Sequence, residues 1–191
     1  MVNFNKKVFL AVLLIVATLA AFVFIVPVPM YVSSTGVWAV IKKGPLVGGK
    51  NYILKTKQED LQLTISFNDI STFEDLMTFK MEVDPSMKVK STNGLTEVSL
   101  AFSNWYESEE FRGKISGNKI VLILPADVLE DMTKNSSFNI GFLTEDGFKY
   151  RNVSLSGFNA QFMNFQVLIA EQLAETLGIP KKVLPYLPSI P

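Results

Sequence analysis

The sequence contains no cysteine and no histidine. Without cysteine the chain forms no disulfide, no thiolate nucleophile, no zinc–thiolate site and no lipoprotein anchor. Without histidine it lacks the commonest general base and the commonest metal ligand. These two absences exclude most hydrolase mechanisms. Because a chain without thiols tolerates oxidising and reducing surroundings alike, they leave its compartment open.

Charge is balanced, which bears on the kind of partner that the chain can bind. Lysine and arginine together number 18, as do aspartate and glutamate, so there is no excess of positive charge to attract a polyanion. We therefore expect no nucleic-acid partner. The length of 191 residues leaves room for one soluble core of ordinary size once the apolar N-terminus is set aside.

The N-terminus carries one long apolar run, preceded by Lys6 and Lys7. In residues 8–26 the only polar side chain is that of Thr18. As a helix this run would extend about 28 Å, close to the hydrocarbon thickness of a bilayer. The pattern predicts a transmembrane signal anchor over residues 1–31, through which the chain is held in a membrane.

Four residues after the run mark its expected end. Pro27 and Pro29 cannot continue a helix. Tyr31 and Trp38 follow at the depth where amphipathic rings are enriched in membrane interfaces. We therefore expect the anchor to end here and both rings to lie at the interface.

A cleaved signal peptide is the alternative to an anchor. Thr18-Leu19-Ala20 offers a small-residue cleavage site, but cleavage there would leave a strongly apolar mature N-terminus, so the uncleaved anchor is favoured. Lysines stand on both sides of the run, and the positive-inside count does not decide the orientation. A short tail before a single span usually stays cytoplasmic, which predicts a periplasmic or extracellular main domain.

Residues 32–178 show the period-two alternation of half-buried strands. The clearest runs are Leu61, Leu63, Ile65 and Phe67; Met77, Phe79, Met81 and Val83; Val98, Leu100 and Phe102; and Phe138, Ile140 and Phe142. Turns at Gly117-Asn118 and at Glu145-Asp146-Gly147 predict two hairpins. A change of parity between Tyr150 and Val153 predicts a bulge near Arg151 and Asn152.

Two helical segments interrupt the strands. Residues 125–133 predict a short helix capped by Asp127, with Glu130 three residues later. Apolar residues from Phe158 to Leu177 recur at helical spacing and stop at Gly178, which predicts a longer C-terminal helix. Short strands without repeating strand–helix units predict a mainly β antiparallel sandwich of extracytoplasmic location, carrying one short and one C-terminal helix.

Chemistry-bearing motifs are weak. Residues 44–51 nearly spell a phosphate-binding loop, but Asn51 stands where magnesium needs a hydroxyl, and strand-like residues follow where a helix is required. A glycine-rich turn between two strands fits better, so no nucleotide is expected. Acidic clusters at 107–110, 127–131 and 145–146 lack the oxygen-ligand spacing of a calcium loop. We predict no catalytic residue, no metal and no cofactor.

Two segments are candidates for partner binding. Trp105 and Tyr106 follow a strand, where aromatic rings are common interface anchors, although they fit the core equally well. Residues 179–191 form a proline-rich extended tail that keeps apolar side chains. These side chains need a surface to cover, on a partner or on the tail's own domain. The predicted partner-binding residues of the tail are Leu184, Pro185, Tyr186 and Leu187.

The stretch from Lys114 to Phe165 resembles the invasion-associated locus B family of bacterial exported proteins. The resemblance lies in the strand from Lys119 to Pro125, a short helix, a hairpin, and a closing Ser154-Leu155-Ser156-Gly157-Phe158 that enters a helix. It covers about a quarter of the chain. The resemblance implies a small exported β-sandwich and supplies no catalytic residues.

These observations predict a membrane-anchored, non-enzymatic interaction protein of the periplasm. It would bind other membrane or periplasmic proteins, as an accessory subunit of a larger complex, because an anchor raises its effective concentration for membrane partners. The alternative is a module that binds a lipid, a peptide or a glycan.

Overall fold

The computed structural model describes residues 30–43, 51–67, 77–176 and 178. Ten strands and two helices lie in these ranges. The strands are β1 (Met30–Thr35), β2 (Trp38–Lys43), β3 (Asn51–Gln58), β4 (Leu61–Ser66), β5 (Thr78–Pro85), β6 (Leu95–Phe102), β7 (Glu109–Ser116), β8 (Lys119–Pro125), β9 (Ser137–Thr144) and β10 (Gly147–Ser154). The helices are α1 (Asp127–Lys134) and α2 (Phe158–Thr176).

The predicted anchor over residues 8–26 and the predicted tail over 179–191 lie outside the described residues. Neither helix within the described ranges has the length and apolarity needed to cross a bilayer. Strand β1 begins at Met30, just before the expected domain boundary at residue 32.

All ten strands form one antiparallel sheet in the order β1-β2-β3-β4-β5-β8-β7-β6-β9-β10. Side chains from both halves of this sheet and from both helices share a single hydrophobic core. The sheet is therefore folded over on itself in a sandwich-like arrangement, and α2 packs on β1, β2 and β3. The predicted mainly β antiparallel fold with a C-terminal helix is confirmed.

Alternation predicts the core-facing side chains well. Leu61, Leu63 and Ile65 on β4 are buried, as are the alternating residues of β5 from Phe79 onward. Met77 departs from the pattern with 62% of its surface exposed, because it precedes the first paired residue of β5. Both predicted hairpins are present, and Gly117 has the positive φ of 61° that a two-residue turn requires at its first position.

The predicted bulge in β10 is wrong. Strands β9 and β10 pair without interruption, with Tyr150 directly opposite Gly141. The Tyr150 ring lies over this glycine so closely that a Cβ at Gly141 would come within 2.6 Å of it. The change of parity has a different cause: Phe148 and Tyr150 lie on the face away from the core, whereas Val153 lies on the core face.

Side chains connect β10, at one edge of the sheet, to β3 and to the β3–β4 turn in the other half of the sheet. The Gln58 amide behaves like a neighbouring strand: its nitrogen donates to the carbonyl of Ser154 at 2.9 Å and its oxygen accepts from the Ser154 N–H at 2.8 Å. Arg151 reaches Asp60 in the β3–β4 turn at 3.1 Å. Hydrogen bonds from Arg151 and from Ser86 hold the pKa of Asp60 below its ordinary value.

The predicted interfacial position of Trp38 is wrong. Its ring is fully buried in the core and meets the Phe158 ring edge-on at 4.9 Å. Its indole nitrogen donates to the carbonyl of Ser154 at 3.0 Å. A side chain buried on all sides and bonded within its own domain has no contact left to offer to lipid headgroups.

The two helices form close to where the sequence predicts them. Helix α1 begins later than expected because Pro125 still pairs with Thr78 in the sheet. Ala126 occupies the N-cap position without a side-chain hydrogen bond, so the predicted cap by Asp127 is wrong and Asp127 is the first helical residue. Helix α2 buries the predicted apolar side chains Phe158, Phe162, Phe165, Ile169 and Leu173.

Candidate interaction site

The loop between β6 and β7, residues 103–108, holds both aromatic residues that the sequence singles out. Trp105 is half-buried, with its ring edge-on to Phe102 at a centroid distance of 4.8 Å. Its backbone N–H donates to the carbonyl of Phe102 at 3.1 Å. Its indole nitrogen donates to Oδ2 of Asp131 on α1 at 2.8 Å. Trp105 therefore ties the loop to Phe102 and to α1.

Asp131 holds a second residue of the same loop. Its Oδ1 accepts from Nδ2 of Asn104 at 2.9 Å. Asn135, which follows α1, donates from its Nδ2 to Oδ1 of Asn104 at 2.9 Å and to the carbonyl of Asp131 at 2.8 Å. Each polar group thus bonds two others, and the network fixes the loop against the end of α1.

Tyr106 is the residue that this support presents to solvent. Its relative exposure is 106%, which means that no neighbouring side chain covers the ring. Glu107, Glu109 and Glu110 follow it along the chain and are also exposed. An uncovered tyrosine beside carboxylates is able to bury its ring in an apolar pocket of a partner while the acidic rim selects a basic surround.

The structure therefore separates the two aromatic residues into a support and a contact. The tail residues that the sequence also predicts, Leu184, Pro185, Tyr186 and Leu187, lie outside the described residues. Sequence reasoning missed Asp131, Asn104 and Asn135. The local signal of Asp131 and Asn135 is polarity at the end of a predicted helix, and that of Asn104 is its place beside Trp105. Neither signal reveals contacts across more than twenty residues.

The acidic clusters carry no metal geometry. Among the described residues, no group of three or more acidic side chains is placed to hold a metal ion. Glu130 instead pairs with Lys134, and this hydrogen bond raises the pKa of Lys134. Asp146 pairs with Lys149 at 3.1 Å. Strand β3 begins at Asn51, so a strand follows the glycine-rich segment where a phosphate-binding loop requires a helix.

A cleft of about 280 Å³ opens beside the start of β6, next to the β5–β6 connection. Its lining includes the charged residues Lys90, Glu97 and Arg112, together with Thr96 and Leu143. Thr96 is only 4% exposed, and its buried hydroxyl has no hydrogen-bond partner. Ligand pockets usually measure about 300–1,000 Å³, so this cleft suits only a small group.

Helix α2 presents a second uncovered surface. Its face away from the core carries Met163 and Val167, which remain 67% and 60% exposed. Ala160 and Ala170 continue this line at helical spacing, with Ala160 exposed and Ala170 partly so. We call these four residues the α2 stripe. The outer face of a surface helix is normally polar, so exposed apolar side chains there are unusual. The stripe ends before Ala174, which is buried.

No protein-family model matches the chain, and no curated protein matches it in sequence. The crystal structure of invasion associated protein B from Bartonella henselae is similar in fold, with a TM-score of 0.53 and 12% sequence identity. The match covers 73% of this chain and 96% of that chain. At this identity the likeness concerns the fold alone, and it agrees with the fold that the resemblance in sequence implies.

Proposed function

We propose that this chain is a membrane-anchored, non-enzymatic interaction protein whose folded domain lies in the periplasm and binds a protein partner through Tyr106. The partner is a membrane or periplasmic protein, and the chain acts as an accessory subunit of its complex. A distant relationship to the invasion-associated locus B family belongs to the same proposal. It is supported by the similar fold and by the C-terminal sequence pattern.

The observation that carries the interaction role is the contrast between Tyr106 and its neighbours. Asn104 and Trp105 are both bonded to Asp131, whereas the Tyr106 ring touches nothing. Ordering a loop costs roughly 1–2 kcal/mol per residue, and a loop that is already ordered does not incur this cost on binding. Tyrosine is also enriched among the few residues that dominate binding energy.

The interaction is tested by gentle detergent extraction, sizing and mass spectrometry of the full chain and of two variants. We expect a stoichiometric protein partner to co-purify with the wild type and to be lost from Tyr106→Ala. Ile123→Ala is the matched control, because Ile123 is an exposed apolar residue on β8 that belongs neither to the loop nor to the cleft. Equal partner recovery from all three chains would refute the Tyr106 site.

The anchor is tested separately. Membranes are washed with alkaline carbonate, and protease is added to intact cells with permeabilised outer membranes. We expect the chain to stay in the washed membranes and its domain to be digested. A variant that lacks residues 1–29 should be released by the wash. Release of the full chain, or protection of its domain, would contradict the proposed anchor or its orientation.

A binding module for a small ligand is the second candidate, and the cleft beside Thr96 favours it. The cations of Lys90 and Arg112 suit a carboxylate group, such as that of a peptide terminus or a fatty acid. Glu97 lines the same cleft opposite Arg112 and offsets one of these charges. Extraction distinguishes the candidates. A co-purified small molecule that Arg112→Ala removes favours the module, whereas a protein partner that Tyr106→Ala removes favours the interaction protein.

A further inference from the structure

The geometry of the α2 stripe points to a second copy of this chain as its occupant. We infer that two copies associate through antiparallel α2 helices about a two-fold axis. This pairing does not depend on the Tyr106 site, which lies on the β6–β7 loop. It rests on the proposed membrane anchor, which the carbonate wash tests separately. It gives a role to an apolar surface that the proposed function leaves uncovered.

The spacing of the stripe makes it complementary to itself. Its members stand at 160, 163, 167 and 170, so the intervals are symmetric about position 165. Phe165 is fully buried, and at 100° per residue the stripe lies on the opposite side of the helix. In an antiparallel pair centred there, Met163 faces Val167 of the other copy, and Ala160 faces Ala170. Such mutual contact defines a two-fold interface.

Size and charge favour the antiparallel arrangement. The alanines at both ends of the stripe permit close approach of the two backbones. Glu171 and Glu175 are the only charged side chains in α2, and a parallel pair would place each beside its own copy. The antiparallel pair places Glu171 opposite the neutral Asn159 instead, so it avoids repulsion between like charges.

The size of the stripe also predicts where the pair forms. A stable interface buries about 800 Å² on each partner, and four side chains, two of them alanine, along roughly 15 Å of helix provide less. The pair is therefore weak in dilute solution. Confinement of both copies to one membrane raises their effective concentration, and pairing becomes populated there.

The absence of cysteine from the native chain makes disulfide mapping specific. Met163→Cys and Val167→Cys are introduced singly into full-length chains with different tags, which are expressed together and oxidised in membranes. We expect the mixed 163–167 disulfide to form at least about five-fold faster than either same-site disulfide, because disulfides require Cα atoms within about 7 Å. Lys114→Cys, exposed on β7, reports random collision.

Each other outcome overturns the inference. Faster same-site disulfides would indicate parallel helices, and rates equal to those of Lys114→Cys would indicate no pairing. Slow maleimide labelling of the two cysteines without a disulfide would indicate another occupant, such as the chain's own tail or lipid.

A matched pair of substitutions tests the contact independently. Ala160→Glu should lower the mixed disulfide several-fold because it brings a second carboxylate close to Glu171 of the other copy. Ala160→Lys adds a side chain of similar length but opposite charge, and should lower the yield less. Ala160 is exposed, so both variants should fold normally, which circular dichroism verifies. Equal yields from both would contradict the antiparallel register.

Discussion

Gly36 and Gly157 lie so close together that neither position has room for a side chain. A Cβ at Gly157 would come within 2.0 Å of the carbonyl oxygen of Thr35, and a Cβ at Gly36 within 2.4 Å of that of Ser156. Both glycines have positive φ. The N–H of Val37 donates to the carbonyl of Ser156 at 3.2 Å across this junction. The contact fixes the β1–β2 turn against the start of α2.

Gly157→Ala should therefore destabilise the protein by about 3 kcal/mol, because the left-handed backbone and the overlap with Thr35 both oppose a Cβ. Urea unfolding of the full chain in detergent, followed by tryptophan fluorescence, measures the change. Gly117→Ala is the control: this glycine also has positive φ, but its Cβ would meet nothing within 4 Å, so only about 1 kcal/mol is expected. Equal losses of unfolding free energy in both variants would show that the close approach of Gly157 to Thr35 adds nothing to the cost of a side chain.

Local pattern predicted the elements, but not how distant elements meet. Leu61, Leu63 and Ile65 alternate because one face of β4 is buried, and this period is visible in the sequence alone. The bonds between Gln58 and Ser154 join residues 96 positions apart. No period links such residues. The burial of Trp38 is hidden from the sequence for the same reason, because it depends on Phe158 and Ser154.

The candidate site was only half predictable. Two adjacent aromatic residues after a strand suggest an interface, and Trp105 and Tyr106 fit this pattern. Which ring is exposed depends on Asp131, which lies 26 residues after Trp105 and takes its indole N–H. The bulge predicted near Arg151 failed similarly, because Tyr150 packs on a glycine of the neighbouring strand rather than in the core.

Protonation of Glu82 in acid should lower the stability of the protein. Its two carboxylate oxygens accept from Lys80 at 2.7 Å and from Lys119 at 2.8 Å. The hydrogen bonds from Lys119 and Lys80 lower the pKa of Glu82 from 4.5 to about 2. A carboxyl whose pKa is lowered by folding stabilises the native state above its unfolded pKa, and this contribution is lost as the pH falls from about 4.5 towards 2.

Glu82→Gln should lower the free energy of unfolding at neutral pH by about 1–2 kcal/mol, allowing for screening by water. Urea unfolding of wild type and variant between neutral pH and pH 3 measures the difference, which should shrink with acidification. Glu145→Gln, in the exposed β9–β10 turn, should match the wild type throughout. A difference for Glu82→Gln that stays constant with pH would rule out the ion pairs as its cause.

Asp131→Ala should weaken partner binding without touching the partner contact itself. The substitution removes the acceptor of both Asn104 and Trp105, so the loop loses its support while Tyr106 is retained. Each lost hydrogen bond at this partly exposed position is expected to cost about 1 kcal/mol of loop stability. The chain has two tryptophans, and in its NMR spectrum the indole N–H resonance of Trp105 should shift and broaden. Partner recovery should fall several-fold.

Asp127→Ala, which alters an exposed carboxylate in the first turn of the same helix, should leave both the resonance and the recovery unchanged. A shifted resonance with full partner recovery would show that binding does not need the ordered loop, and an unshifted resonance would show that Asp131 does not hold Trp105.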